Sequence, residues 1–535
     1  MFETKVTAGT FIIFASLAFI SYRFTSLNIS SKVLSSEIIK LVTRTVIMFF
    51  MYKTYKIHQL RQKYRHIPGP KTNGLLGFYL GNIPELLKLV KHKMVPDILT
   101  DWVKEYGPCF KYQILDEVSI FTISPEAIKE MYIDKNFPKH PDIYAVIGFP
   151  YGSRYMGTSL VTSLDNVRHR HRRHIMNPAF SRQALNSFMD ELNAKSDVLM
   201  NKLRNLADGK TTIRMLDELN NLTLDVIAAA CFGMQNDSIT KENNFKKFVF
   251  ESLRGLNRLL FNPTIKYNPF EWGYIRRYKE LLNDLRNLGR TQINNRIKAL
   301  QDGSYVKDDL ITLMVKNSKE DNIDIEDLVD DFLTFFVAGQ ETTSNMLAFS
   351  LLELGQNPDV LKTLKEEVDS TIGSKQHITT EDLNKLKYLE SVIKETLRKW
   401  SITPLINRQS AVPIKIYDFD IPVGSEIQVS SYVSGRMDEF FPNPKKFDPE
   451  RFYNNEGKIK NYTYFPFSLG PRNCIGQNFS IIEGKICLAK FVQILILNLV
   501  QNFDFKLDPN QSFEGVQHAT INPASGTMAI LEIRK

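Results

Sequence analysis

The stretch Phe467-Ser468-Leu469-Gly470-Pro471-Arg472-Asn473-Cys474-Ile475-Gly476 decides how the rest of this 535-residue chain is read. Gly470 and Gly476 let the backbone bend tightly on either side of Cys474. Phe467 is placed to cover the sulfur, and Arg472 supplies a cation close by. Directly afterwards Gln477 to Leu499 reads as a long apolar helix. Cys474 therefore stands near a helix amino terminus, where the macrodipole lowers a thiol pKa. A loop of this kind presents a shielded thiolate to a metal. A cysteine between two glycines is also common in ordinary loops, so the loop by itself leaves a plain structural reading open.

The bulk numbers describe a folded chain. Hydrophobic residues make up 43% and charged residues 24%, with no low-complexity tract or repeat. A net charge of +9 fits a nucleic acid, an anionic membrane or an acidic protein partner. The basic residues are dispersed, apart from the stretch before Ile67 and the run Arg168 to His174, and neither is interleaved with aromatics. Nucleic-acid binding is excluded on that ground. The four cysteines, Cys109, Cys231, Cys474 and Cys487, lie far apart without a CxxC pair, so neither a disulfide framework nor a structural zinc site is indicated.

Val6 to Tyr22 is an almost uncharged run of the length that crosses a bilayer as a helix. A second run, Leu41 to Tyr52, is shorter and interrupted by Arg44; it is read as dipping into the interface or spanning. Lys53, Lys56, Arg61, Lys63 and Arg65 follow, a cluster held on the cytosolic side by the positive-inside tendency. Ile67-Pro68-Gly69-Pro70 then forbids helix, so residues 1–66 are expected to form a membrane anchor region and 67–535 a separate catalytic body.

Along that body, Asp97 to Tyr106 has helical spacing, and Phe110 to Leu115 with Val118 to Ser124 reads as a hairpin. Long amphipathic segments follow at Ser181–Ala207, Met215–Phe232, Tyr274–Leu300, Ile325–Leu354, Pro358–Ile372 and Thr380–Lys399. Strand signal returns at Ile414–Ser430, with Pro422-Val423-Gly424 as its turn. The pattern predicts a mainly α protein with small β-sheets and no doubly wound core.

Three further clusters carry chemistry. Phe335 to Thr343 lies in an apolar helix, where Ala338 and Gly339 leave room for a ligand. The Thr342 hydroxyl reaches back to the Ala338 carbonyl and opens a local bulge, and Glu341 supplies an ionisable group for proton delivery. An ordinary polar patch on a helix is the alternative. Glu395 and Arg398 share a helix face at i, i+3, by default a surface ion pair. Asp448-Pro449-Glu450-Arg451-Phe452 brings a further arginine.

Together these motifs resemble the cytochrome P-450 superfamily of haem-thiolate monooxygenases over roughly Ile67 to Arg534. The cysteine loop matches the pattern FxxGxRxCxG without a departure, Lys394 to Arg398 resembles ExxR, and Ala338 to Thr343 is similar to [AG]Gx[DE]T[TS]. The resemblance implies a triangular helical prism around a buried haem b (iron protoporphyrin IX), with Cys474 as the axial ligand. It also implies a structural triad of Glu395, Arg398 and Arg451, and propionate contacts from Arg472, Arg173 and Arg408. At the family's WxxxR motif, His169 stands in place of the tryptophan, a departure that leaves the register there open.

What the resemblance implies about chemistry is single-electron delivery from NADPH through NADPH-cytochrome P-450 reductase, docked at a basic surface. Thiolate donation favours heterolytic cleavage of the O–O bond. One oxygen atom enters an unactivated C–H bond of a small lipophilic substrate, at the endoplasmic reticulum membrane with the catalytic domain facing the cytosol. Thr334 to Gly339, Gly435 to Asp438 and Tyr464 to Gly470 look most like the cholesterol 24-hydroxylase branch, which makes a sterol the expected substrate. Terminal hydroxylation of fatty acids and xenobiotic oxidation are the alternatives, and Ala338, where many fatty-acid hydroxylases carry glutamate, counts against the former. A haem sensor or electron carrier is the reading from a different class; the intact Glu341-Thr342 pair speaks against it.

Overall fold

A computed structural model describes residues 31–320, 323–453, 457–496 and 502–534 of the protein. These residues are mostly helical, with one four-stranded sheet, one three-stranded sheet and two two-stranded ones. The mainly α architecture with minor sheets is the one the periodicity predicts. The apolar run Val6–Tyr22 lies outside the described residues.

Two compact units divide the chain. The smaller comprises the described residues up to Ser124, with Lys139–Asp142 and Asn407–Gln428. Its first helix, Ser31–Lys63, contains the run Leu41–Tyr52. Among the described residues no helix is long and apolar enough to cross a membrane, which corrects the spanning alternative for that run. The helix ends just before the prolines at 68 and 70, as their fixed φ and missing N–H require. Arg61 ties it down, donating to Gln113 Oε1 at 3.1 Å and the Gly77 carbonyl at 2.8 Å. Gly69 is needed for close approach, since a Cβ there would stand 1.9 Å from the Lys111 carbonyl oxygen. Ile47, Phe50, Met51 and Tyr55 stay exposed and line an open apolar groove with Phe78 and Tyr79. The expected hairpin is present as Cys109–Ile114 and Glu117–Thr122, with the Phe110 and Phe121 rings stacked across it at 5.2 Å.

The larger unit is built around a central helix, Ile325–Gln356, buried along almost its whole length. A companion helix, Met215–Phe232, packs along it, and Phe232 stacks on Phe336 at 4.6 Å. Its C-terminal cap, Gly233, is left-handed with φ +59°, the usual way to stop a helix. The cysteine helix, Gln477–Ile494, crosses the central helix where Gly484 admits the Met346 side chain. Each apolar face is thereby covered by another helix, which is what the unbroken apolar runs require.

Two predicted helices are broken in the structure. Ser181–Ala207 becomes Arg182–Ser187 and Met189–Asn205, interrupted at Phe188, whose buried ring packs edge-on against Phe479. Thr380–Lys399 becomes Thr380–Lys385 and Lys387–Lys399, interrupted at the fully buried Leu386. At both breaks a side chain is anchored in the core, and tertiary packing overrides a continuous periodic pattern. Among the described helices longer than ten residues, three lie outside the predicted segments: Asn166–Met176, Asn244–Phe261 and Leu310–Glu320. The first, a basic helix, has no apolar stripe to betray it; its start is fixed by Asp165, whose side chain accepts from Val167 and Arg168 N–H.

Candidate functional site

Of the four cysteines, Cys474 is exposed, whereas Cys109, Cys231 and Cys487 are buried. Cys474 nevertheless lies deep within the larger unit, so the space its thiol opens on is internal. The loop is closed by its own backbone, the Cys474 N–H donating to the Phe467 carbonyl at 2.9 Å. Gly470 has φ +68°, and a Cβ there would meet the Tyr132 carbonyl oxygen at 1.9 Å, so no side chain fits. Gly476 has an ordinary φ of −85° and caps the cysteine helix. A Cβ on it would point at Cys474 Sγ, 3.9 Å away, so what this glycine contributes is clear space beside the sulfur.

The helix end acts on the thiol in the expected direction, through the Gly476 amide, but it is opposed. Burial pushes the Cys474 thiol up from its ordinary value, outweighing the Gly476 amide and the positive charge of Arg173, which pull it down. Desolvation of a thiolate costs more here than one helix end returns.

Two arginines lace this loop to the basic helix. Arg472 is buried and donates to the Ser163 carbonyl at 2.9 Å and to Asn166 Oδ1 at 2.7 Å. Arg173 donates to the Asn473 carbonyl at 2.6 Å and to Asn473 Oδ1 at 3.0 Å, beside the cysteine itself. Both guanidiniums thus tie down the loop that carries Cys474. His169 is buried in the same helix. Arg408 belongs to the smaller unit, where it is buried and donates to the Asn407 carbonyl at 3.2 Å.

On the central helix, Ala338 is exposed although Leu328–Val337 before it and Thr343–Leu354 after it are buried. That is an opening onto interior space. Thr342 Oγ1 donates to the Ala338 carbonyl at 2.7 Å, the expected back-bond. The predicted bulge is absent, because residues 325–356 are α-helical throughout and the carbonyl's second lone pair accommodates the hydroxyl. Gly339 is also corrected: a Cβ on it would meet Ile227 Cδ1 at 3.0 Å, so it lets the companion helix approach and leaves no ligand room. Glu341 is deep, and burial raises its pKa.

Glu395 and Arg398 are fully buried and form a bidentate pair at 2.7 and 2.8 Å. Arg398 also donates to the Gly435 carbonyl at 2.6 Å, and Glu395 accepts the Asp448 N–H at 2.9 Å. Arg451 Nε stands 3.4 Å from Glu395, completing a three-residue cluster that joins Lys387–Lys399 to the segment around 448. The default surface ion pair is thus excluded.

Sequence reasoning missed several groups. Arg172 and Arg286 are buried on Asp331 and Asp330 at the start of the central helix, fixing its position with charge-assisted bonds. Thr520, on the turn between strands Gly515–Gln517 and Ile521–Pro523, donates to Glu341 at 2.8 Å. Glu483, on the cysteine helix, is buried and its Oε1 has no hydrogen-bond partner among the described residues.

Burial alone holds the Glu483 pKa well above the ordinary carboxyl range. The native state therefore keeps a proton that the unfolded chain has released. Stability from this group is complete below the unfolded carboxyl pKa and falls as pH rises, by up to about 1.4 kcal/mol per pH unit until the native carboxyl ionises. Glu483→Gln removes that slope. Thermal denaturation from about pH 5 to pH 8 is expected to show the variant gaining on the wild type as pH rises; parallel curves would refute a buried neutral carboxyl.

Residues 70–528 match the family described as Cytochrome P450. The chain belongs to the cytochrome P450 family. Similar proteins include Cytochrome P450 3A28 of Bos taurus, 29% identical over 488 residues covering 88% of this chain and 90% of that protein. Cytochrome P450 4d2 of Drosophila melanogaster is 26% identical over 456 residues, covering 80% of this chain and 87% of the other. The 11-oxo-beta-amyrin 30-oxidase of Medicago truncatula is 28% identical over 434 residues, covering 77% and 78%. At such identities these relatives show the family and its monooxygenase activity, and they give no support to the cholesterol 24-hydroxylase branch in particular.

A cytochrome P450 works with haem and a redox partner, and the donor set here fits the group. The accessible thiol of Cys474 faces internal space, Gly476 leaves that space clear, and Ala338 opens the central helix. Cys474 would hold the iron, with Arg173 as the nearby positive charge.

Proposed function

We propose that this cytochrome P450 hydroxylates an unactivated C–H bond of a sterol or similar lipid, with haem b bound through Cys474. Electrons come from NADPH through NADPH-cytochrome P-450 reductase. The reading of the site rests above all on the Cys474 thiol, the one accessible cysteine of the four. Haem, when bound there, supplies the activation of dioxygen.

The chain's own residues supply the rest. Ala338 marks where substrate lies against the central helix. The Thr342 hydroxyl, its proton engaged by the Ala338 carbonyl, presents its lone pairs to a water or a proton donor. Glu341, whose pKa burial raises against the hydrogen bond from Thr520, is the proton store beside it. Exposed Arg170 and His174 on the basic helix offer an acidic partner a docking face. The exposed apolar side chains of Ser31–Lys63, flanked by Lys53 and Lys56, support association with the endoplasmic reticulum membrane, the catalytic domain facing the cytosol.

The sterol reading is supported by the passages Thr334–Gly339, Gly435–Asp438 and Tyr464–Gly470, and a relative named for oxidation of 11-oxo-beta-amyrin accords with a bulky lipophilic substrate. Titration of the purified holoenzyme with sterols and with fatty acids tests it. Sterols are expected to shift the haem absorption spectrum at micromolar concentrations and to give a hydroxylated product with reductase and NADPH. A response confined to fatty acids would replace the sterol by the runner-up substrate.

A further inference from the structure

The Thr520 hydroxyl is in contact with more acceptors than it can serve. Its Oγ1 lies 2.8 Å from Glu341 Oε1 and 2.9 Å from Asn522 Oδ1, and both are donor contacts. A hydroxyl has one proton and two acceptor lone pairs, so it donates to one of these oxygens at a time. Asn345 Nδ2 completes the cluster, donating to Thr520 Oγ1 at 3.2 Å and to Asn522 Oδ1 at 3.0 Å. All of this is buried or half-buried, where an unserved polar atom is costly.

We infer that Thr520 is a positioning residue for Glu341, its proton turning between the Glu341 carboxylate and Asn522 according to whether Glu341 carries a proton of its own. When Glu341 is ionised, Thr520 donates to it. When Glu341 is protonated, the acid donates to Thr520 Oγ1 and the threonine proton turns to Asn522 Oδ1. Both states are satisfied with the heavy atoms in place, so Glu341 releases and regains a proton without moving its side chain. The turn carrying Thr520 is itself fixed, since the Ala519 N–H donates to Asn257 Oδ1 at 2.8 Å and His518 meets Phe261 edge-on. This inference rests on the proton-store role proposed for Glu341 and names the partner that makes that role reversible.

Other titratable groups around the cluster do not account for the arrangement. The Tyr155 hydroxyl is bonded to Ser252 Oγ at 2.6 Å, and burial raises its pKa so that it stays neutral. His518, two residues before Thr520, has its pKa lowered by burial and is neutral above pH 7. The ionised Glu341 is thus stabilised by Thr520 against desolvation.

The test is an infrared pH titration of the protonated carboxyl stretch in the full-length ferric holoenzyme, with Glu341→Gln used to assign the band. Thr520→Val is expected to move the midpoint upward by about one to two pH units, the worth of a hydrogen bond to a charged group. Thr520→Ser should restore it. Asn522→Leu removes the acceptor to which Thr520 turns when Glu341 is protonated, so its midpoint is expected to move downward. Opposite signs separate the relay from general disturbance, which would move both the same way. An unmoved midpoint in Thr520→Val, or shifts of the same sign in both variants, would overturn the inference. No substrate, oxygen or reductase is involved, so the result does not depend on whether the sterol reading stands.

Discussion

Cys474→Ala is expected to leave a protein without the red-shifted ferrous carbonyl band of a thiolate-ligated haem and without monooxygenase activity. The reason lies in the other cysteines. Cys109, Cys231 and Cys487 are buried, and burial raises each of their thiols, Cys109 to about 12. None is placed to substitute. The expected loss is therefore complete, whereas Cys487→Ala should keep the band. Absorption spectra of the reduced carbonyl complex decide the matter, and an unchanged band in Cys474→Ala would remove the ligand assignment. The fold should survive the change, because the loop is closed by the backbone bond from residue 474 to Phe467 and by Arg173 and Arg472, none of which uses the sulfur.

Arg398→Ala is expected to act on stability first. Arg398 makes two bonds to Glu395, one to the Gly435 carbonyl and a longer one to the Lys446 carbonyl at 3.3 Å, with no part of its side chain in solvent. Removing it strands the Glu395 carboxylate in a region where a charge needs a partner, at a cost of about 3 to 5 kcal/mol. Against a typical total of about 5 to 15 kcal/mol, that is a large fraction. The Arg451 contact at 3.4 Å is too long to compensate. Arg398→Lys should recover little, since an ammonium cannot reproduce the planar two-pronged geometry. Thermal denaturation and the haem content of the purified variant are the measurements. A variant with wild-type melting temperature and full haem would show that the cluster is dispensable.

How much of this was legible beforehand depends on how local each signal is. Met215–Phe232 is helical over the same residues that its periodicity marks, because the pattern and the glycine after it are contiguous in sequence. The Cys474 loop is equally local: two glycines, one cysteine and the start of a helix within ten residues. The helix Asn244–Phe261 is equally local in its signals, through its apolar spacing and the Asn243 cap. Asn166–Met176 is not, since a basic run without a stripe is recognisable as helix only once Asp165 caps it and Arg172 finds Asp331.

By itself, the sequence determined that this is a mainly helical protein with one cysteine in a bent, glycine-flanked loop, because turn chemistry and helical period act over a few neighbouring residues. Only the tertiary structure decided which charges and hydroxyls meet. It put Arg173 against Asn473, Thr520 against Glu341 and Ile227 against Gly339, and it left Glu483 without a partner for its Oε1 among the described residues. It also set burial against the helix end at Cys474, since desolvation depends on everything packed around a group and a helix dipole only on the turn beside it.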